Sequence, residues 1–278
     1  MLVVIFGLAA AILYGAGDFG GGLASRRHSA VTVLLYAYPV GVVLMSTMLA
    51  LFPGTLTAHA GLFGLAGGVA GLIGVLTMYS LMAVAPMNII SPVTAVLAAM
   101  VPVVFGVIVG ERPGVAAWCG IALGLAAITL VSRTTDDHPH GKIPKRMLLL
   151  ACVSGLGFGF YFIFLARAGN DSGLWPLVVS RFASALLILP IAARRHAFVP
   201  VRGRMLAIVL ASGACDAFAN LFFLLASRHG LLSLASVLTS LYPATTVILA
   251  VTLLHEHTSR VQRVGLGLAA ASIVLITI

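Results

Sequence analysis

Charged side chains are the scarcest class in this chain. Lys, Arg, Asp and Glu together make up 8% of its 278 residues, against roughly a quarter in an ordinary soluble domain. Only seven residues are acidic, against sixteen basic ones. Cysteine is nearly absent too. Cys119, Cys152 and Cys215 all fall inside apolar stretches with no CxxC spacing, which excludes a disulfide framework or a zinc site and leaves them as small packing residues. No GxSxG or Walker sequence occurs. Gly15-x-Gly17-x-x-Gly20 matches a dinucleotide fingerprint in letters only, since no strand precedes it. His255-Glu256-His257 lacks the second zinc ligand of HExxH, because position 259 is Ser259. None of the eight histidines falls in the middle of an apolar run, so a haem or a histidine relay has no ligands there. The expectation is a protein that is not an enzyme, with no cofactor and no metal. Without an ATP-binding module, any pumping draws on a gradient.

What remains is hydrophobic length. The apolar fraction is 61% and the mean hydropathy +1.14, both beyond a soluble composition. Ten apolar runs cover 2–23, 31–52, 61–83, 89–109, 114–132, 147–166, 174–192, 205–226, 233–254 and 261–278. About 20 residues of helix cross a hydrocarbon core of about 30 Å. In lipid the backbone must satisfy its own hydrogen bonds, so these runs are expected to be helices, and they are too long and too uniformly apolar for barrel strands. The first run has no basic residue before it and reads as a span, not a cleavable signal. The expected class is an all-α integral membrane protein.

The net charge of +9 is a matter of topology. Arg26, Arg27, Arg133, Lys142, Lys145, Arg146, Arg194, Arg195, Arg202, Arg204, Arg260 and Arg263 collect on one side, and Arg112, Arg167 and Arg228 on the other. The richer side is expected in the cytoplasm, with both termini outside it. Basic residues placed in this way do not signal a nucleic-acid partner.

The chain repeats. A shift of 145 residues carries Ser91 onto Ser236, Thr94 onto Thr239, Glu111 onto Glu256 and Gly120 onto Gly265. The expected units are 1–132 and 147–278, joined by a hydrophilic linker at 133–146. Five helices per unit is an odd number, so the second unit enters the membrane from the opposite side. Ten helices in two inverted repeats around a central cavity is the architecture of alternating-access carriers. Pro92 and Pro102 in the fourth run and Pro243 in the ninth predict bends at corresponding positions of the two units. The glycines of the third, fifth and sixth runs, Gly120-x-x-x-Gly124 among them, predict close helix contacts.

Few ionisable groups lie at membrane depth. Burying an unpaired charge there costs about 2.5–3.5 kcal/mol on insertion scales, so each needs a partner or a cavity. Arg181 and Asp216 lie mid-run on antiparallel neighbours, at similar depth. They are expected to pair, either as a lock between two helices or with Arg181 held for an anionic group such as a substrate carboxylate. Asp18 shares a helix face with Tyr14, and Asp216 one with Asn220. Asp18 and Asp216 are the candidates for coupling to protons; the alternative for Asp18 is a cap or an arginine partner. Tyr79, Tyr161 and Tyr242 are the aromatic candidates for a solute wall, with plain packing as the alternative. Glu111 and Glu256, at helix ends before tight turns, are expected to bond arginine or backbone within those turns, with a gate as the other reading.

Taken together, Gly110-Glu111-Arg112-Pro113, Trp118-Cys119-Gly120, Tyr14-Gly15, Arg181-Phe182 and Pro102-Val103-Val104 resemble the EamA-type domain of the drug/metabolite transporter superfamily. The resemblance spans the whole chain as two tandem copies. The second copy departs from it, with His255 in place of Gly110 and Arg263 in place of Trp118. The resemblance implies a ten-helix secondary carrier, mostly of bacterial inner membranes, that exports amino acids, other metabolites or toxic compounds. It implies a cavity lined by helices one, three, four, six, eight and nine, with Tyr14, Asp18, Tyr79, Tyr161, Asp216, Asn220 and Tyr242 as lining candidates. The partners expected are a small-molecule solute, membrane lipid and protons, and a monomer is compatible with this. The rival readings are an uncoupled metabolite facilitator and a lipid-carrier flippase.

Overall fold

The computed structural model of the protein describes residues 1–84, 87–131, 144–254 and 259–277. Residues 132–143 of the expected linker region, and Glu256 with the histidines beside it, lie outside the described residues, as do the side chains of Ser91 and Pro92. The described chain is helical: α1 (Leu2–Ser25), α2 (Ala30–Met48), α3 (Ala58–Met82), α4 (Met87–Ile108), α5 (Val115–Val131), α6 (Lys145–Arg167), α7 (Trp175–Arg194), α8 (Gly203–Arg228), α9 (Leu232–Thr239), α10 (Tyr242–Leu254) and α11 (Arg260–Thr277). A single 3-10 turn, Asn170–Ser172, precedes α7. Among the described residues, seven helices, α1, α2, α3, α6, α7, α8 and α11, are long and apolar enough to cross a membrane, and α5 and the 94–108 part of α4 are apolar over shorter lengths. Helix starts obey ordinary chemistry where the sequence supplies it. Ser29 and Thr57 accept the amide N–H groups of Thr32 and Ala60 at 3.1 and 3.0 Å.

Of the two runs expected to bend at proline, the ninth is broken and the fourth is continuous. The ninth apolar run is two helices, parted at Ser240 and Leu241 just before Tyr242-Pro243. Pro243 has no N–H to return to the Thr239 carbonyl, and its fixed φ suits the first turn of a new helix. In the other half α4 runs as one helix from Met87 to Ile108 despite Pro92 and Pro102. Pro39 and Pro190 likewise lie inside unbroken helices. Interior proline breaks a helix only where neighbours do not take up the freed carbonyl.

Glycine sets the packing. Along α3, Gly64 and Gly68 meet the backbone of α7, where a Cβ would stand 2.8 and 2.6 Å from the Pro176 and Ser180 carbonyl oxygens. Gly71 and Gly74 face Tyr161 and Phe158 of α6. On α6, Gly157 faces Ala70 and Gly74 of α3, while Gly155 and Gly159 face Thr94, Leu97 and Val101 of α4. The Gly120 and Gly124 pair of α5 receives α11, with the Ser272 hydroxyl donating to the Gly120 carbonyl at 2.7 Å. With lipid as apolar as the side chains, close backbone approach and its dispersion contacts replace the hydrophobic drive of a soluble core. Many large apolar side chains stay outside, such as Ile12, Leu62 and Leu186 at 57, 64 and 62% exposure. In water such a surface promotes association; against acyl chains it is the required solvent-facing side.

Glu111 does something its sequence position did not suggest. Its carboxylate leaves the α4 end and accepts the backbone N–H groups of Leu232 at 2.7 Å and Ser233 at 3.1 Å. These begin α9, whose own N-cap, Leu231, offers no side-chain acceptor. The expected bonds within its own turn are therefore corrected: the carboxylate caps a helix of the other half, a favourable place for negative charge. Glu111→Ala is expected to cost about 0.5–2 kcal/mol, the usual worth of an N-cap. Glu111→Gln should fall between, since one amide oxygen serves where two carboxylate oxygens did. Thermal unfolding in detergent measures both, and an unchanged Glu111→Ala midpoint would refute the capping role.

Candidate functional site

The midsections of α1, α2, α3, α6, α7 and α8 surround one cavity. Its described lining is Tyr14, Tyr38, Gly71, Val75, Phe158, Tyr161, Ser180, Arg181, Ser184, Asp216 and Asn220. Its enclosed space is about 20 Å³, on a measure by which one water needs about 10–15 Å³, so the cavity is narrow in this conformation. Glycine makes the room: α2 comes close enough to α7 that Gly41 lies against the Arg181 side chain, and α3 leaves space at Gly71 for the Tyr161 ring.

The pairing expected from depth is present. Arg181 Nη1 lies 2.6 Å from Asp216 Oδ2, with the Arg181 side chain 7% and the Asp216 side chain 25% exposed. Asp216 thus pairs on one side and faces the cavity on another. Asn220, one turn along α8, donates through Nδ2 to the Asp216 carbonyl at 2.5 Å and to Asp216 Oδ1 at 3.2 Å. Its own Oδ1 accepts the Tyr14 hydroxyl at 2.5 Å. The chain Tyr14–Asn220–Asp216–Arg181 links α1, α8 and α7, and so joins the two halves of the sequence through one polar network. Such a network is stiff when every member is satisfied.

The satisfaction is incomplete on the donor side. Arg181 Nε and the hydroxyls of Tyr38 and Tyr161 are buried with no partner among the described residues. The nearby serines spend their protons elsewhere, Ser180 on the Leu177 carbonyl at 2.9 Å and Ser184 on the Gly68 carbonyl at 2.9 Å, and keep lone pairs near the Tyr161 and Tyr38 hydroxyls. A buried donor without a partner forfeits its hydration, and the cost is greatest at Arg181 Nε, which can only donate.

Five of the residues singled out in the sequence, Tyr14, Tyr161, Arg181, Asp216 and Asn220, come together at this cavity. Three do not reach its described lining. Asp18 is half-buried on α1, without a hydrogen-bond or ion-pair partner among the described residues, and within electrostatic range of Asp216, Tyr79 and Tyr242. Tyr79 packs its phenol over Gly21 of α1. Tyr242 stands beside the Tyr14 ring, centroids 6.4 Å apart, with its hydroxyl unpartnered among the described residues. The expected set of lining helices also needs amending, because α2 and α7 contribute through Tyr38, Ser180, Arg181 and Ser184. Sequence reasoning missed Tyr38 and the two serines. Ser184 stands three residues after Arg181 and four after Ser180, one helical turn, a signal available in the sequence; Tyr38 had none.

Towards the α6 and α8 ends that carry Arg167 and Arg228, Phe162 and Phe223 stack with centroids 4.1 Å apart, and Tyr14 adjoins Phe162 at 6.1 Å. Aromatic surface therefore borders the polar network on that side.

The comparisons with known proteins agree with this architecture. Residues 1–133 and 145–278 match the model described as the EamA-like transporter family, so the resemblance read from the sequence motifs holds over both halves. A solved structure, described as the crystal structure of a protein, is similar with a TM-score of 0.78 at 19% identity, covering 99% of this chain and 96% of that one. At that identity the likeness is one of fold alone. No curated protein matches the sequence significantly.

Proposed function

Because the chain belongs to the EamA-like transporter family, a family of multi-pass membrane transporters, we propose that it is a secondary transporter of a small organic metabolite or drug-like solute. Ten membrane-crossing segments, in units 1–132 and 147–278, form two inverted five-helix repeats that rock about the cavity. The reading is supported by how the helices pair. Exchange α1 with α6, α2 with α7, α3 with α8, α4 with the α9–α10 segment and α5 with α11, and the packing returns to itself: α1 on α8 becomes α6 on α3, α4 on α6 becomes α9–α10 on α1, and α3 on α7 becomes α8 on α2. The pairs α2 with α7, α5 with α11 and α4 with α9 map onto themselves. A twofold relation between units of five crossings inverts one against the other.

The observation that carries the proposal is the polar network at mid-helix depth, shared by both halves and bordering an open cavity. Charge at that depth is costly, and in membrane proteins it marks solute and ion pathways. The basic loops support a reading in which both termini lie outside the cytoplasm of a bacterial inner membrane. Transport runs outward, with Asp18 or Asp216 carrying protons. The test is a solute screen with the purified protein in liposomes, with and without an imposed pH gradient. Saturable flux of at least one solute that responds to the gradient is expected. Saturable flux indifferent to the gradient would remove the proton, and absence of saturable flux across the screen would remove the carrier.

A further inference from the structure

The hydrogen-bonding balance of the cavity is lopsided, and that asymmetry selects a ligand chemistry. The carboxylate and amide oxygens each already have a donor. Asp216 Oδ2 holds Arg181, Asp216 Oδ1 faces Asn220 Nδ2, and Asn220 Oδ1 takes the Tyr14 hydroxyl. What is left over donates. Arg181 Nε is a donor that can never accept, on a residue 6% exposed. The hydroxyls of Tyr38 and Tyr161 have no partner among the described residues, on residues 3 and 6% exposed. All three residues line the same cavity. The remaining wall is apolar, from Val75, Phe158 and the Tyr161 ring.

We propose that this cavity takes an organic monoanion, a carboxylate on an apolar body, whose oxygens fill the Arg181 Nε edge and the Tyr38 and Tyr161 hydroxyls. The assignment deepens the carrier reading and rests on it. The guanidinium is suited to the task because its planar fork presents N–H groups in two directions. One Nη group faces Asp216, while Nε, buried and without a partner among the described residues, is left for a second carboxylate. Asp216 then acts as the internal stand-in for the ligand: it holds the arginine charged and oriented, and shares it when the solute arrives. A solute bearing an ammonium meets the opposite situation. Its charge would face a guanidinium of like charge, and Asp216, the one carboxylate of the described lining, already holds Arg181 and faces Asn220. A neutral amide could accept from the same donors but would gain no charge-assisted bond.

The cavity is narrow, so a solute must part its walls to enter, and the probes are kept small. Titration calorimetry on the purified wild-type protein compares four ligands with one body: 3-phenylpropanoate, 3-phenylpropanamide, 2-phenylethylammonium and phenylalanine. The carboxylate is expected to bind at least about tenfold more tightly than the amide and the ammonium, the worth of one charge-assisted hydrogen bond. It should also bind more tightly than phenylalanine, whose ammonium meets the like charge of Arg181 and an Asp216 that is already paired. Arg181→Lys, which keeps the charge and loses the fork, should weaken it about tenfold. Asp216→Asn should bind it at least as tightly as wild type, because the competing charge is gone. Equal or tighter binding of the amide, the ammonium or phenylalanine overturns the assignment, as does no binding of the carboxylate or its loss in a folded Asp216→Asn protein. The ligand comparison needs no variant, so a misfolded variant does not blunt it. Labelled 3-phenylpropanoate in liposomes separates the two ideas. Binding without saturable flux sinks the carrier reading and leaves the anion site standing, whereas saturable flux of the ammonium without carboxylate binding does the reverse.

Discussion

Arg181→Met and Asp216→Leu, each made alone, are expected to lower the unfolding midpoint sharply and to abolish solute flux; together they should restore most of the stability and none of the flux. The reason lies in the two costs of a buried ion pair. Removing one partner strands the other in a low-dielectric interior, at about 3–5 kcal/mol. The cavity makes this acute, since Arg181 is 6% exposed and the described lining offers no second carboxylate to receive it. Replacing both partners with apolar side chains of similar volume removes the stranded charge, and such replacements are often neutral or stabilising. Stability and transport then part company. A pair that only locked α7 to α8 would be dispensable once replaced by a good apolar contact, and the double variant would still carry solute. A pair that also handles the solute is not replaceable in this way. Thermal unfolding in detergent and flux in liposomes, measured on all three variants, give the answer. A double variant that transports at the wild-type rate would reduce the pair to a lock.

The second large effect is expected at Gly213. Gly213→Val should fold poorly and lose most flux, because α2 crosses α8 there with no room for a side chain. A Cβ on Gly213 would stand 2.6 Å from the Ala37 carbonyl oxygen, 2.9 Å from its Cα and 3.1 Å from its carbonyl carbon. These are backbone atoms, so no rotamer change relieves the clash and the two helices must separate. Overpacking of this kind costs about 1–3 kcal/mol in well-packed cores. The damage extends to the site. Tyr38 is the next residue after Ala37 on α2, and Asp216 lies about one turn from Gly213 on α8, so parting the helices moves two cavity walls. Gly61→Val is the matched control. The nearest atom there is Leu56 Cδ1 at 3.9 Å, and valine should be tolerated. Equal midpoints for the two variants would mean that the α2–α8 contact is not tight in the folded protein.

Some features of a membrane protein show in its sequence and others do not. The Arg181–Asp216 pair was legible because so few charges occur at depth: two opposite ones on antiparallel neighbours have little choice of partner. The repeat was legible through Glu111 and the residues around it. The target of Glu111 was not. Its carboxylate reaches amide groups more than a hundred positions away, at the start of a helix that lacks a capping residue of its own. Proline misled in the other direction. Pro243 coincides with a break and Pro102 does not, since the outcome of a lost hydrogen bond depends on the neighbouring helices. Tyr38 escaped notice because a tyrosine inside an apolar run looks the same whether it faces a cavity, a helix or the interface.

The sequence alone determined the solvent, the helical class and the two-repeat plan. Hydropathy and the need for each crossing segment to satisfy its own backbone are local properties, readable one run at a time. Only the tertiary structure decided which helices touch, which glycines carry those contacts, and which polar groups meet around the cavity. In water a buried face is more apolar than an exposed one, and the pattern betrays it. In lipid both faces are equally apolar, so hydrophobicity says nothing of orientation, and the choice passes to close packing and to a few hydrogen bonds between distant parts of the chain.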